Sequence, residues 1–185
     1  ERPDAERGRL ITLTLDQMAD GGIYDHVGGG FHRDSVDRQW LVPHFEKMLY
    51  DQALLPNLYP EAWTAYGNPR YRDACVGVLS YVLREMTGEE GGFFASQDAD
   101  SEGEEGKFYL WTRDEIRGAL DDGQAADLVC ALYGVTDAGN FEGRTILHRT
   151  RSLADAAREA GIPEDDAPPL LRRATEALHR KRAER

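Results

Sequence analysis

Residues Gly21 to Leu55 read GGIYDHVGGGFHRDSVDRQWLVPHFEKMLYDQALL. This stretch packs glycines, three histidines, arginines, a tryptophan and several carboxylates into a loop that leads into a helical pattern. Gly28-Gly29-Gly30 forbids helix through its first half. Phe31 and Val36, set among polar residues, suggest short extended segments joined by a turn. Pro43 fits the first turn of a helix, where its missing N–H costs nothing. The expected helix then carries His44, Phe45 and Glu46 and runs toward Gly67. Pro56 and Pro60 fall inside it, and an interior proline costs about 3 kcal/mol. A kink or break near Leu55 is the expectation.

Outward from this stretch the chain reads as helices joined by long loops. Leu10 to Asp20 is a helix closed by Gly21-Gly22. Asn68-Pro69 opens the next. Tyr71, Ala74, Cys75, Val78, Leu79, Val82, Leu83 and Met86 make one apolar stripe on it at 3.6-residue spacing. Gly88 to Lys107 is a loop holding an acidic run. Phe108-Tyr109-Leu110-Trp111 reads as a short strand, and Thr112 to Glu115 as a capping box that starts a helix toward Leu120. Gln124 to Tyr133 forms a helix stopped by Gly134. Asn140 to His148 is loop and strand. Ser152 opens a small helix ending at Gly161, and the last helix starts near Pro168 with Leu170, Leu171, Ala174 and Leu178 buried. The loops GGGFHRDSVD and GGFFASQDADSEG share a flavour that suggests a repeated helical hairpin.

The 185 residues are 41% hydrophobic and 30% charged, an ordinary globular balance. A net charge of −12 argues against nucleic acid or an anionic membrane surface as partner. No long apolar run is present and the start, ERPDAERGRL, is too charged for a signal peptide, so a cytoplasmic location is expected. Cys75 and Cys130 lack metal or redox spacing and read as buried thiols. Neither a metal nor a cofactor is called for.

Candidate chemistry gathers in the two loops. His44, in a helix first turn, would sit at the positive end of the dipole and stay neutral, available as acid or base. Asp51, two turns on, would need a ligand between it and His44. The plainer alternative makes His44 and Glu46 caps for the preceding loop. His32 and Arg33 could grip a carboxylate, a phosphate or hydroxyls, or Arg33 could pair with Asp34 or Asp37. Trp40 could stack on a sugar ring or anchor the core. Asp98 and Asp100 could supply paired carboxylates for sugar chemistry. They do not make an EF-hand, because Tyr109 stands where that loop needs a bidentate Glu.

Taken together, the opening stretch, GGFFASQDADSEGEEGKFYLWTRDEI and GNFEGRTIL resemble the thioredoxin-domain-containing family related to spermatogenesis-associated protein 20. The resemblance implies an all-α fold: part of an (α/α)6 toroid, six-hairpin glycosidase-like, with short β segments in its loops. It implies that residues 1–185 are the N-terminal portion of such a toroid, similar to N-acylglucosamine 2-epimerase, and that the family's thioredoxin-like domain is absent from them. The family's activity is not established. A sugar-acting, epimerase- or glycosidase-like domain completed by other hairpins is one reading. A non-catalytic scaffold serving a thioredoxin-like domain is the other. The motif positions are His32, Arg33, Trp40, His44, Glu46, Asp51, Asp98 and Asp100. On the sugar reading His44 with Asp98 or Asp100 stands near the chemistry, and Arg33 and Trp40, with His32, Glu46 and Asp51, hold a carbohydrate ligand. The expected partners are the remaining hairpins and the thioredoxin-like domain. A partial toroid would also self-associate through helix faces left uncovered.

Overall fold

The computed structural model describes residues 5–185, so the first four residues of the charged start lie outside the described part. The protein is mostly helical with short strands and divides into two compact units, one ending at Ala99 and one starting at Asp100.

In the first unit, α1 (Ala5–Asp20) starts five residues before the apolar pattern and stops at the Gly pair, as expected. Its last carbonyls are capped from a distance. The His26 ring Nε2 lies 3.2 Å from the Asp20 oxygen and 3.0 Å from that of Gly21, and Arg70 donates to the Ala19 oxygen at 2.6 Å. Arg70 also ion-pairs with Asp20. Helices α2 (Leu49–Tyr66) and α3 (Pro69–Glu85) form an antiparallel pair joined by left-handed Gly67 and the N-cap Asn68. The core between these helices and the Gly-rich loop includes Leu15, Ile23, Phe31, Tyr59, Tyr71 and Val78. Phe31 stacks on Tyr59 with ring centres 5.6 Å apart.

Two expectations are corrected here. The helix does not begin at Pro43: Pro43–His44 is a strand, β2, pairing with β1 (Asp34–Ser35), and Lys47–Met48 is another, β3, pairing with β4 (Ser96–Gln97). Backbone pairing on both sides of residues 43–48 outweighs the preference of proline for a helix start. Nor does α2 break at its prolines. Pro60 has no N–H for the Pro56 carbonyl, and the Cys75 thiol of α3 donates to that oxygen at 3.7 Å instead. Packing of α2 on α3 restores what the prolines remove. The α3 stripe also differs in part. Tyr71, Ala74, Cys75, Val78 and Met86 are buried, but so is Tyr81, whereas Leu79 and Leu83 are exposed.

The loop is held by a buried ion pair. Lys47 Nζ donates to Asp25 Oδ2 at 2.7 Å and to the Gly29 carbonyl at 2.8 Å, and lies 4.2 Å from the centre of the Tyr81 ring. The other Asp25 oxygen accepts from the N–H groups of Val27 and Gly28. Gly30, at φ 81°, passes so close to Tyr81 that a Cβ would lie 2.6 Å from its ring, so only glycine fits. Gln52 reads the next residue: it accepts from the Phe31 N–H at 2.9 Å and donates to the Phe31 carbonyl at 2.6 Å.

The second unit opens with β5 (Asp100–Ser101) paired to β6 (Glu104–Glu105), followed by α4 (Arg113–Ala119), α5 (Gly123–Tyr133), α6 (Leu153–Glu159) and α7 (Ala167–Arg182). The capping box at Thr112 is present in both directions, and Gly134 closes α5 in the left-handed region. Leu170, Leu171, Ala174 and Leu178 are buried on α7 as expected. Phe108 to Trp111 is not a strand. Only Trp111 bridges to Thr145, and the carbonyls of Lys107, Phe108 and Leu110 accept from Arg185. Arg182, the last residue of α7, is 3% exposed and lies over Phe108 and Tyr109. Asn140 closes the NFEGRTIL loop: its side-chain amide donates to the Ile146 carbonyl and accepts from the Ile146 N–H.

The Lys47–Asp25 pair carries a stability prediction. Lys47→Met strands a buried carboxylate and should lower unfolding free energy by about 3–5 kcal/mol. Lys47→Met combined with Asp25→Asn should lose distinctly less in the same urea titration.

Candidate functional site

The candidate site is built on the segment 43–48, which takes part in both strand pairs. Side chains alternate along it. Pro43, Phe45 and Lys47 are buried, whereas His44, Glu46 and Met48 are partly exposed. Burial of Lys47 against Asp25 therefore turns His44 and Glu46 outward.

On that outer face His44 Nδ1 donates to Asp34 Oδ1 at 2.9 Å, across the register pair Asp34↔His44. This fixes which ring nitrogen carries the proton and leaves Nε2 to accept one. Arg33 donates to Glu46 at 2.5 Å and reaches Asp34 at 3.5 Å. Asp51, in the first turn of α2, has one carboxylate oxygen buried with no hydrogen-bond partner. Burial pushes its carboxyl above the ordinary carboxylate range, and the charge of Asp34 adds to the rise. Asp98 follows β4 one step beyond the pair Lys47↔Gln97, toward the Glu46 end of that ladder.

The structure thus brings Arg33, Asp34, His44 and Glu46 into hydrogen-bond contact, and the charge of Asp34 reaches Asp51. The His44 geometry differs from that expected. It lies on a strand rather than at a helix N-terminus, so its orientation comes from Asp34 and not from a helix dipole. Asp34 appears in the sequence only as an alternative partner for Arg33; its role as the His44 acceptor comes from strand register.

Other candidates lie elsewhere. His32 is 4% exposed, with Nδ1 2.9 Å from the Phe45 oxygen and its ring edge-on to Phe45. Trp40 packs partly buried against the core of the first unit. It adopts φ 61°, and its carbonyl accepts from the Gly22 N–H at 2.7 Å. A Cβ on Gly21 would come within 2.4 Å of that oxygen, which explains glycine at position 21. Asp37 organises the turn before Trp40 by accepting from the N–H groups of Gln39, Leu41 and Val42. Asp98 ends in the first unit, while Asp100 is the first residue of β5 in the second, opposite Glu105. Among the described residues no group of three His, Cys, Asp or Glu is placed to hold a metal ion. No helix among them is long and apolar enough to cross a membrane.

The chain is therefore a mostly helical protein in which a histidine–carboxylate ladder is displayed on short strands between helices. It is homologous to spermatogenesis-associated protein 20. Over 98% of its length it is 39% identical to the human protein and 38% identical to that of Mus musculus, a match that takes in all three motifs. It is also 39% identical over 71% of its length to an uncharacterised protein of Caenorhabditis elegans. The chain spans about a quarter of the length of the mammalian relatives, 26%. No family model matches it.

The raised Asp51 carboxyl makes a test of the site's electrostatics. Between its ordinary and its raised pKa the folded protein holds a proton that the unfolded chain has lost, so stability falls as pH rises through that window. Asp51→Asn should therefore raise the thermal midpoint at neutral pH. The gain should disappear below about pH 4, where the carboxyl is protonated in both states.

Proposed function

We propose that the chain forms the first helical hairpins of an (α/α)6 toroid in a sugar-acting protein, and that the outer face of segment 43–48 supplies its acid–base groups. The observation that carries this reading is Asp34, which orients His44 and whose charge also acts on Asp51. His44, held through Nδ1, would present Nε2 to a ligand, while Asp51, through burial and the charge of Asp34, holds its proton to higher pH than an ordinary carboxyl. Moving a proton beside a sugar carbonyl, or onto a glycosidic oxygen, needs such a pair. Arg33 and Glu46 would orient ligand hydroxyls, and Asp98 would add a carboxylate at the edge. His32 and Trp40 would act as supports, by fixing the strand and the turn.

A second reading has support in a different observation. The exposed large hydrophobic residues among those described, Leu10 through Phe94, all belong to the first unit. They include Tyr50, Leu54 and Leu58 on α2 and Val76, Leu79 and Leu83 on α3. Apolar stripes on adjacent helices suit further hairpins of a toroid, or a thioredoxin-like domain scaffolded by it.

Saturation-transfer NMR with a panel of hexoses and amino sugars tests the first reading. A sugar signal that is lost in His44→Ala is expected; no transfer from any sugar at millimolar concentration would remove it. The uncovered stripes predict self-association of the chain, visible as a concentration-dependent sedimentation coefficient. Leu54→Glu with Leu83→Glu should abolish it, and a monodisperse monomer at all concentrations would count against uncovered packing faces.

A further inference from the structure

Apart from that site, the second unit holds a groove of about 360 Å³ between the turn joining α4 to α5 and one flank of α7. Small or apolar side chains line it: Leu120, Ala125, Leu170, Ala174 and Ala177. A side chain on Gly118, at its α4 wall, would meet nothing within 4 Å. Two arginines stand on the α7 edge, Arg173 and Arg180. Seven residues separate them, so they lie on one side of the helix about 10 Å apart along its axis. Ala177 sits between them on the same stripe.

The charges around this groove are unequally committed. Lys181 is paired with Glu184 at 2.6 Å. Asp122 is spent on the start of α5, where it accepts from the N–H groups of Gln124 and Ala125. Asp121 stands exposed on the wall opposite α7. Arg173 and Arg180 have no carboxylate partner among the described residues. Ala167 to Arg185 carries six Lys and Arg against two Glu in a chain of net charge −12, so this flank is a local reversal of sign. Two unpaired guanidinium groups flanking an apolar trough match a ligand with the complementary order: carboxylate, apolar side chain, carboxylate.

We infer that this groove docks an acidic peptide segment, whose carboxylates pair with Arg173 and Arg180 and whose apolar residue between them rests on Ala177 and faces Gly118. Guanidinium groups suit this role because their planar donors can engage a carboxylate in two places. Charges at the rim of a contact act mainly on association rate and salt dependence. The trough supplies the apolar anchor.

The test is fluorescence anisotropy of the whole chain with a labelled amphipathic peptide that carries glutamates on both sides of a leucine pair. Its lysine counterpart serves as the control probe. The glutamate peptide should bind, more weakly as salt rises, and the lysine peptide should not. Arg173→Glu with Arg180→Glu changes only exposed side chains and should weaken binding by about tenfold or more. Gly118→Leu, which fills the trough without touching a charge, should also weaken it. Equal binding of the two peptides, no binding of either, or unchanged affinity in the charge-reversed variant overturns the inference. So does loss through charge reversal with full affinity in Gly118→Leu, which would reduce the groove to a charged surface.

Discussion

The buried ion pair between Lys47 and Asp25 is the constraint on which the first unit depends. An ammonium group inside a protein is tolerated only when its donors are used, and here a carboxylate, a backbone carbonyl and an aromatic face take them up. The carboxylate in turn gathers the N–H groups of Val27 and Gly28, so the Gly-rich loop wraps around the charge rather than filling space. Because Lys47 lies on a strand, burying it decides the facing of every neighbour. His44 and Glu46 point outward for the same reason that Lys47 points inward.

That constraint joins two loops distant in sequence. Tyr81, whose ring lies beside the Lys47 ammonium, also donates its hydroxyl to Gln97 at 2.6 Å, and Gln97 is the register partner of Lys47. The strand that leads into α2 and the second Gly-Gly-aromatic loop thus meet along a short ladder. Asp98 comes to the edge of the histidine face through that ladder, not through its own loop. In the second unit the equivalent work falls to arginines. Arg144 binds both oxygens of Glu115 at 2.8 and 2.9 Å, tying the NFEGRTIL loop to the start of α4. Burial alone would raise the Glu115 carboxyl, but the Thr112 N–H and the guanidinium groups of Arg144 and Arg185 outweigh it and hold it below the ordinary range. The third motif is therefore a structural clasp.

Helix ends were legible in the sequence because their signals are local. The Gly pair after Asp20, Asn68-Pro69, the Thr112 capping box, Gly134 and Ser152 each act on backbone groups within four residues, and each marks a helix boundary in the structure. The part played by Lys47, Asp25 and Gln52 was not legible. A lysine in a charged stretch and an aspartate near glycines look solvated until residues twenty positions apart are brought together. The exposed Leu79 and Leu83 misled for a related reason: periodicity shows that a helix has an apolar side, but not how far its neighbours reach around it.

Read alone, the sequence established that this chain is mostly helical, where most helices stop, and that it is related to spermatogenesis-associated protein 20. It also named Arg33, His44 and Glu46, which gather at the outer strand face, and Asp51 in the first turn of α2. Tertiary structure alone decided that Pro43 and His44 are strand, that Asp34 rather than a helix dipole orients the histidine, and that α2 runs through two prolines. The physical reason is common to all three. Each is settled by hydrogen bonds or burial between separate segments of the chain, and those interactions outweigh the local preferences that a sequence displays.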